Sequence, residues 1–456
     1  MLFPTFTFIL GFLPLTVIVY FLLSARSREI SRLWLIAASF VFYSWFNWSY
    51  AFILCGSLLM NWFFAQLLYR NKSKWILAAG IICNVLLLGY FKYYDFFIEN
   101  INAVFGTSYL LKHILLPLGI SFFTFQQISF LQLVYGRALE KRYSFSSYAL
   151  FVCFFPQLIA GPIVLPDEMM SQFDNDSCRR PDARNIAAGL YIFALGLSKK
   201  ILLADYFAEI ADAGFPDVGG NFFTAWKTAL AYTFQIYFDF SGYCDMALGI
   251  GLLFNIRLPK NFDAPYRAEN ISDFWRRWHI TLGRFLMTGL YIPLGGNRCS
   301  KFRNCLNLLI TFFVSGLWHG ASWLFVLWGM LHGFALVIHR IWSKFLNLKM
   351  PVLPARLLTF FFVFLAWIPF RATDLSEAEQ LLKAMFLPAS WSFGAPDGKA
   401  CFYFAAAAGI ILFLTPAADM EKKFRPTWSN GLLTIALILI SMFCFVKYSP
   451  FIYFNF

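Results

Sequence analysis

Acidic side chains are scarce in this chain, and between Asp273 and Asp374 there are none, although that stretch holds four of the five histidines. Charged residues of both signs make up only 13% of the sequence, against about 25% in soluble domains. With 60% hydrophobic residues and a mean hydropathy of +0.63, the composition excludes a soluble globular domain. The nine cysteines are scattered, mostly in apolar runs, with neither disulfide-framework nor zinc spacing. There is no basic tail or nucleic-acid recognition motif, so the formal charge of +13 belongs to basic loops at one membrane face rather than to a nucleic-acid partner. Met1–Leu23 lacks a basic leader region and a small-residue cleavage site, which predicts a retained first span with its N-terminus outside.

What is present is a series of apolar stretches long enough to cross a hydrocarbon core of about 30 Å. The class is an all-α polytopic membrane protein, since the alternating pattern of an outer-membrane barrel is absent. Spans are expected near 3–24, 33–46, 50–69, 75–91, 113–135, 148–165, 186–205, 224–254, 305–318, 323–341, 357–371, 400–417 and 431–448. Loops 25–32, 70–74, 136–142 and 418–428 are positive and are expected inside. The balanced segment 92–112, the acidic loop 372–399 and the C-terminal Tyr448–Phe456 are expected outside. No internal repeat stands out, so one integrated domain over 1–456 is the simplest organisation.

Two stretches resist a simple span. Phe154-Phe-Pro-Gln-Leu-Ile-Ala-Gly-Pro-Ile163 carries helix breakers at membrane depth, which is tolerated only where backbone is buried in protein or lines a wet cavity. Residues 256–304 are too polar to span and too aromatic for a plain loop. Within them Ile271, Phe274, Trp275, Trp278, Leu282 and Phe285 make one stripe if 271–286 is a single helix, with Arg276, Arg277 and Arg284 off it. That pattern predicts an interfacial helix with Trp at headgroup depth. His279 lies at the stripe's edge, either as a satisfied boundary residue or pointing into the protein. Gly289-Leu-Tyr-Ile-Pro-Leu-Gly-Gly-Asn-Arg298 fits a tight turn better than a phosphate loop.

His319, in Ser315-Gly-Leu-Trp-His-Gly-Ala-Ser-Trp323, sits deep in an apolar run. An ionisable group there is a functional-site candidate by default, and a neutral histidine suits removal of a hydroxyl proton near physiological pH. A buried structural histidine is the competing reading. A Ser-His-Asp arrangement needs an acid beside the imidazole, which must come from outside 274–373. His332 and His339, seven residues apart, read as structural or cavity-lining, and no metal site is expected. Asp239 and Asp245 are the other buried ionisable groups. Six residues apart on a regular helix they point about 240° from each other. They either pair with loop arginines, line a polar tunnel or serve as coupling sites of a transporter for a lipid-linked sugar or small anion.

Seven motifs then occur in order: Pro156-Gln-Leu-Ile-Ala-Gly-Pro162, Tyr237-Phe-Asp-Phe-Ser-Gly-Tyr243, Asn261-Phe-Asp-Ala-Pro-Tyr266, Phe274-Trp-Arg-Arg-Trp-His279, Tyr291-Ile-Pro-Leu-Gly-Gly-Asn-Arg298, Gly316-Leu-Trp-His-Gly320 and Pro369-Phe-Arg-Ala372. Together they closely resemble the membrane-bound O-acyltransferase (MBOAT) family, in its bacterial branch for alginate and peptidoglycan O-acetylation and teichoic acid D-alanylation. The resemblance covers a core over roughly 115–375 and implies some 11–13 spanning or re-entrant helices, arranged as a horseshoe around a central chamber. It implies His319 as catalytic histidine, acting as general base, and His279 as a second, more cytoplasmic one. It also implies acyl-CoA, in this branch acetyl-CoA, as co-substrate with no bound cofactor.

From the same resemblance Arg276, Arg277 and Arg284 become candidates to hold the donor's phosphates, with 256–304 as a cytoplasmic interfacial helix and loop. Transfer would run toward a polysaccharide or carrier-protein hydroxyl outside, with a periplasmic acetyltransferase-like protein and membrane lipids as partners. The expected location is the bacterial inner membrane with both termini periplasmic. One departure stands out: Met287-Thr288-Gly289 replaces an Arg-Asp-Tyr expected before the Leu-Tyr-Ile-Pro-Leu-Gly-Gly stretch.

Overall fold

A computed structural model describes residues 1–137, 142–217, 221–345, 350–387, 397–445 and 451–452. Among the described residues six helices are long and apolar enough to cross a membrane: Thr7–Ser24, Ser49–Arg70, Lys74–Phe105, Ala183–Gly214, Trp323–Ser343 and Val352–Arg371. A bent pair, Gly398–Phe413 with Ala417–Lys423, makes a seventh if taken as one span. The chain is therefore a multi-pass, all-helical membrane protein. Apart from the broken stretch 148–165, the other expected spans are mainly helical but shorter or more polar, such as Ile120–Gly136 and Lys301–His319.

Two expected loops contain helix. Residues 92–112 continue the preceding span to Phe105, where Gly106 at φ 62° ends it in the left-handed conformation that suits glycine. The acidic stretch 372–399 contains the helix Leu375–Phe386, started by the Asp374 carboxylate accepting from the Glu377 amide. Residues 388–396 of that stretch, Glu140 and Lys141 of the positive loop 136–142, and all of Tyr448–Phe456 except Phe451 and Ile452 lie outside the described residues.

The chain groups into two compact units. The first comprises Met1–Ala194, Tyr243–Pro259 and Phe424–Thr434. Apolar helices gain no hydrophobic drive from packing in lipid, so hydrogen bonds between them matter more. Here Asn61 donates to Gln127 Oε1 (2.7 Å) and Asn84 Oδ1 (3.1 Å), Asn84 donates back to Asn61 (2.7 Å), and Ser57 also reaches Gln127 (2.7 Å). In this unit the broken stretch 154–163 is buried throughout. Its backbone is anchored by Ser39, which accepts from the Phe155 amide, and by Gln157, which donates to the Phe151 carbonyl. Buried protein, as expected, is what makes the break tolerable.

The second unit comprises Leu195–Gly242, Lys260–Lys423 and Ile435–Phe456. It contains all five histidine and arginine candidates for the chemistry, His279, His319, Arg276, Arg277 and Arg284, together with Asp239. Its central device is the hairpin of Lys301–His319 and Trp323–Arg340. Gly316 and Gly329 lie where the two helices cross. A methyl group at Gly316 would overlap the Phe325 carbonyl oxygen, and one at Gly329 the Phe312 carbonyl oxygen. The backbones meet because neither carries a side chain. Replacing Gly329 with alanine is expected to destabilise the protein by about 1–3 kcal/mol through overpacking. Gly409→Ala, whose new methyl meets nothing within 4 Å, leaves stability unchanged or slightly raised. Thermal unfolding in detergent compares the two, and equal melting temperatures would contradict the close crossing.

Candidate active site

Three short segments of the second unit build the site. The first is a return of backbone on backbone. Asn270 caps the helix Ile271–Arg277 by accepting from the Asp273 amide (2.8 Å), and the helix ends at Trp278, which is extended at ψ 128°. His279 follows in the left-handed region at φ 45°, and a second helix, Ile280–Leu286, begins after it. The single helix expected over 271–286 is thus two, and the stripe does not run along one face. A non-glycine residue held left-handed is strained by roughly 1–3 kcal/mol, so the surroundings must fix it.

Asn261 does so. Its carbonyl oxygen accepts from the Ile280 amide (3.0 Å), while its side-chain Oδ1 accepts from the Thr281 amide (3.1 Å) and hydroxyl (2.9 Å) and lies 3.2 Å from His279 Nδ1. An amide N–H can only donate, so Oδ1 is an acceptor here and Nδ1 carries the ring proton. That leaves Nε2 as the acceptor nitrogen. Burial favours the neutral ring and pushes the pKa of His279 down to about 3. Trp278 is buried at 1% exposure, where a residue at headgroup depth was expected. It packs between Phe262, Phe274 and Trp367 rather than against lipid.

The second segment is the hairpin's elbow. His319 is the last residue of Lys301–His319, Gly320 turns the chain in an extended conformation, and Ser322 caps the next helix by accepting from the Leu324 amide (3.2 Å). Ser322 is thereby a helix cap. Ser315, one turn before His319, is buried. His319 is 3% exposed and its ring is edged by Trp318 (4.9 Å), Trp328 (4.9 Å) and Phe370 (5.2 Å). Trp318 also meets the His279 ring at 5.9 Å, so one indole touches both histidines. His332, fully buried, accepts through Nδ1 from Trp275 Nε1 (3.2 Å) and packs on Trp328 at 4.9 Å. It is packed in the interior, while His339, the other histidine expected to be structural or cavity-lining, is half-buried and lines a separate cavity of about 730 Å³ with Glu269 and Phe362.

The third segment is the turn after Tyr291. Gly295 at φ 110° and Gly296 at φ 50° make it, which fits a plain turn. Asn304 donates to the Gly296 carbonyl (2.7 Å) and the Tyr291 hydroxyl (2.7 Å), and Arg340 binds Asn304, Tyr291 and Asn297. At Met287-Thr288-Gly289 the Thr288 hydroxyl donates to the Arg284 carbonyl (2.9 Å).

The candidate arginines do not share one fate. Arg276 is exposed. Arg277 is engaged by Asp273 (3.0 Å) and the Asp263 carbonyl (3.4 Å), and Arg284 is half-buried. Asp239 and Asp245 lie on one unbroken helix, Phe222–Leu253. Asp239 pairs with Lys200 (2.8 Å), a helix lysine rather than the loop arginine that was one of the three alternatives. Sequence reasoning missed Trp328, which edges the His319 ring, and Trp367, which stacks on Trp328 and packs against Trp278. The spacing of Trp328 and His332, four apart on one helix face, was the available signal.

The matches to known proteins follow this geometry. The family model of the membrane-bound O-acyltransferase family matches residues 60–373. A peptidoglycan O-acetyltransferase of Helicobacter pylori is 47% identical over 421 residues, covering 84% of this chain and 80% of that protein. A probable alginate O-acetylase of Pseudomonas putida is 35% identical with both chains fully covered. A teichoic acid D-alanyltransferase of Streptococcus thermophilus is 29% identical, over 62% of this chain and 69% of its own.

A neutral buried His279 has a sign for stability. Its folded pKa lies below the unfolded value near 6.5, so protonation favours the unfolded chain. The contribution is present above pH 6.5 and is lost progressively as pH falls toward 3. By pH 5 the loss is on the order of 2 kcal/mol. His279→Gln is expected to make the fall in melting temperature between pH 7 and pH 5 shallower than in the parent. An equally steep fall would show that His279 protonates without resistance.

Proposed function

Because the chain belongs to the membrane-bound O-acyltransferase family, we propose that it O-acetylates a hydroxyl of an exported cell-envelope polysaccharide, peptidoglycan or an alginate-like polymer. The relatives named for those two acceptors support this choice over D-alanyl transfer, being more similar and covering more of the chain. Acetyl-CoA from the cytoplasm is the donor in this reading, and the protein sits in the bacterial inner membrane.

The observation that carries the reading is the placement of His319. It is buried at a helix C-terminus, walled by Trp318, Trp328 and Phe370. As general base its imidazole takes the proton of an acceptor hydroxyl while the hydroxyl oxygen attacks the thioester carbonyl. The tetrahedral intermediate collapses with loss of the CoA thiolate, which takes up the proton from the imidazolium. During that interval the positive ring lies at the negative end of the Lys301–His319 helix dipole, worth up to roughly 2 kcal/mol in a partly buried setting. The aromatic walls keep water from competing for the thioester.

His279 positions rather than reacts in this scheme. With Nδ1–H held on Asn261 Oδ1, Nε2 is fixed as an acceptor for a donor-side N–H or O–H. Arg276, exposed at the end of its helix, is the candidate best placed to meet a phosphate, since Arg277 is already engaged. Arg284 remains a second candidate.

His319→Ala should leave the protein folded in detergent, with an unchanged elution profile, while acetyl-CoA-dependent transfer to a polysaccharide acceptor falls by about 10³-fold or more. His279→Ala should lower transfer less. Parental turnover in His319→Ala would remove His319 from the chemistry.

A further inference from the structure

The second unit contains a buried charge cluster that the proposed chemistry does not use. Lys200 Nζ lies 2.8 Å from Asp205 Oδ1 and 2.8 Å from Asp239 Oδ1. Lys200 and Asp239 are 6% and 2% exposed. Charges at that depth in an apolar helical protein are costly unless every oxygen and proton is used. The other oxygen of Asp239, Oδ2, accepts a hydrogen bond of 2.7 Å from the backbone amide of Ile452, 213 positions later in the chain. Phe451 and Ile452 are both buried.

The bond is made by the peptide group that joins Phe451 to Ile452, next to the Phe451 ring. Its centroid lies 5.8 Å from the ring of Phe240, which follows Asp239 on the same helix, and Phe240 in turn meets the His279 ring edge-on at 4.8 Å. Phe240 and Phe262 are also in contact at 4.9 Å, and Phe262 adjoins Asn261, the residue that fixes His279. A continuous path of contacts therefore runs from the Lys200–Asp239 pair through Ile452, Phe451 and Phe240 to the left-handed histidine.

We propose that Lys200 and Asp239 are positioning residues. They form a charged seat that locks the Phe451–Ile452 segment in place, and the seated segment braces Phe240 and so holds the His279 ring in its working orientation. Neither side chain touches the reacting groups. The functional half of this inference rests on the acyl-transfer reading above, and the structural half does not.

The test uses the full-length protein with Ile452→Cys, a change that keeps the backbone amide, in a background where the exposed Cys55, Cys401 and Cys444 are replaced by serine. Maleimide labelling of the introduced thiol reports whether the segment is seated. Asp239→Leu removes the acceptor and should raise the labelling rate about tenfold or more. Asp239→Asn offers one oxygen to two donors, the Lys200 ammonium and the Ile452 amide, and should label at a rate between the parent and Asp239→Leu. Acetyl transfer in Asp239→Leu should fall in kcat by about tenfold or more, with KM for acetyl-CoA little changed, as expected of misplacement rather than lost binding.

If Asp239→Leu does not fold, Phe451→Ala tests the same path without disturbing the buried charges. It should lower kcat, and Phe451→Leu should recover part of the loss. Unchanged labelling in Asp239→Leu overturns the seat, and unchanged kcat in an unseated or Phe451→Ala protein overturns the brace. Faster labelling of Asp239→Leu, with no transfer in any variant including the parent, would support the seat and count against the proposed function instead.

Discussion

The close crossing at Gly316 and Gly329 is the constraint on which the site depends. Backbone meets backbone there because both residues lack a Cβ, and the crossing lies one turn before His319. An added methyl would push the helices apart and carry the elbow with them. Trp328 follows from the same arrangement. It precedes Gly329, so the helix that must approach closely also presents an indole to the imidazole at 4.9 Å. Tight packing at the crossing and an aromatic wall around the histidine are two results of one contact.

The second histidine is fixed by other means. His279 breaks a helix, and a left-handed non-glycine residue persists only where its neighbours determine it. Asn261 uses both its backbone carbonyl and its Oδ1 for that purpose. The same hydrogen bonds select the tautomer, so backbone strain and ring electronics are settled together. Trp318 lies against both rings, which couples a histidine set by helix crossing to one set by a side-chain ledge.

The class of the protein was legible from composition, because no soluble chain hides this much apolar surface behind so few charges. His319 stood out because an imidazole in an apolar run is unusual. The motif order identified the family before any geometry was known. Less visible were features that depend on contacts distant in sequence. The stripe over 271–286 read as one helix because periodicity cannot register a single residue turned left-handed by Asn261, which lies outside the stripe. Trp278 read as a headgroup residue for the same reason, since amphipathic patterning does not distinguish a lipid interface from a protein interior. Asp239 read as a candidate coupling site, and only the fold could bring Lys200 and the Ile452 amide to it. The segment 92–112 read as a connection because it lies between the expected spans 75–91 and 113–135, yet its charges do not stop a helix, and it is Gly106 that supplies the end.

The scarcity of acids around His319 acquires a physical meaning from this arrangement. A carboxylate beside a buried catalytic imidazole would steady the imidazolium, but its own desolvation would be expensive so deep in an apolar helix bundle. Asp239, a buried acid, is neutralised by Lys200. His319 lies at the carbonyl end of a nineteen-residue helix, and Trp318, Trp328 and Phe370 meet its ring in T-shaped contacts. Fixed dipoles need no reorganisation as charge develops, so they favour the protonated ring only while it exists. If His319 acts as the proposed base, the negative end of that helix would steady the imidazolium as it forms.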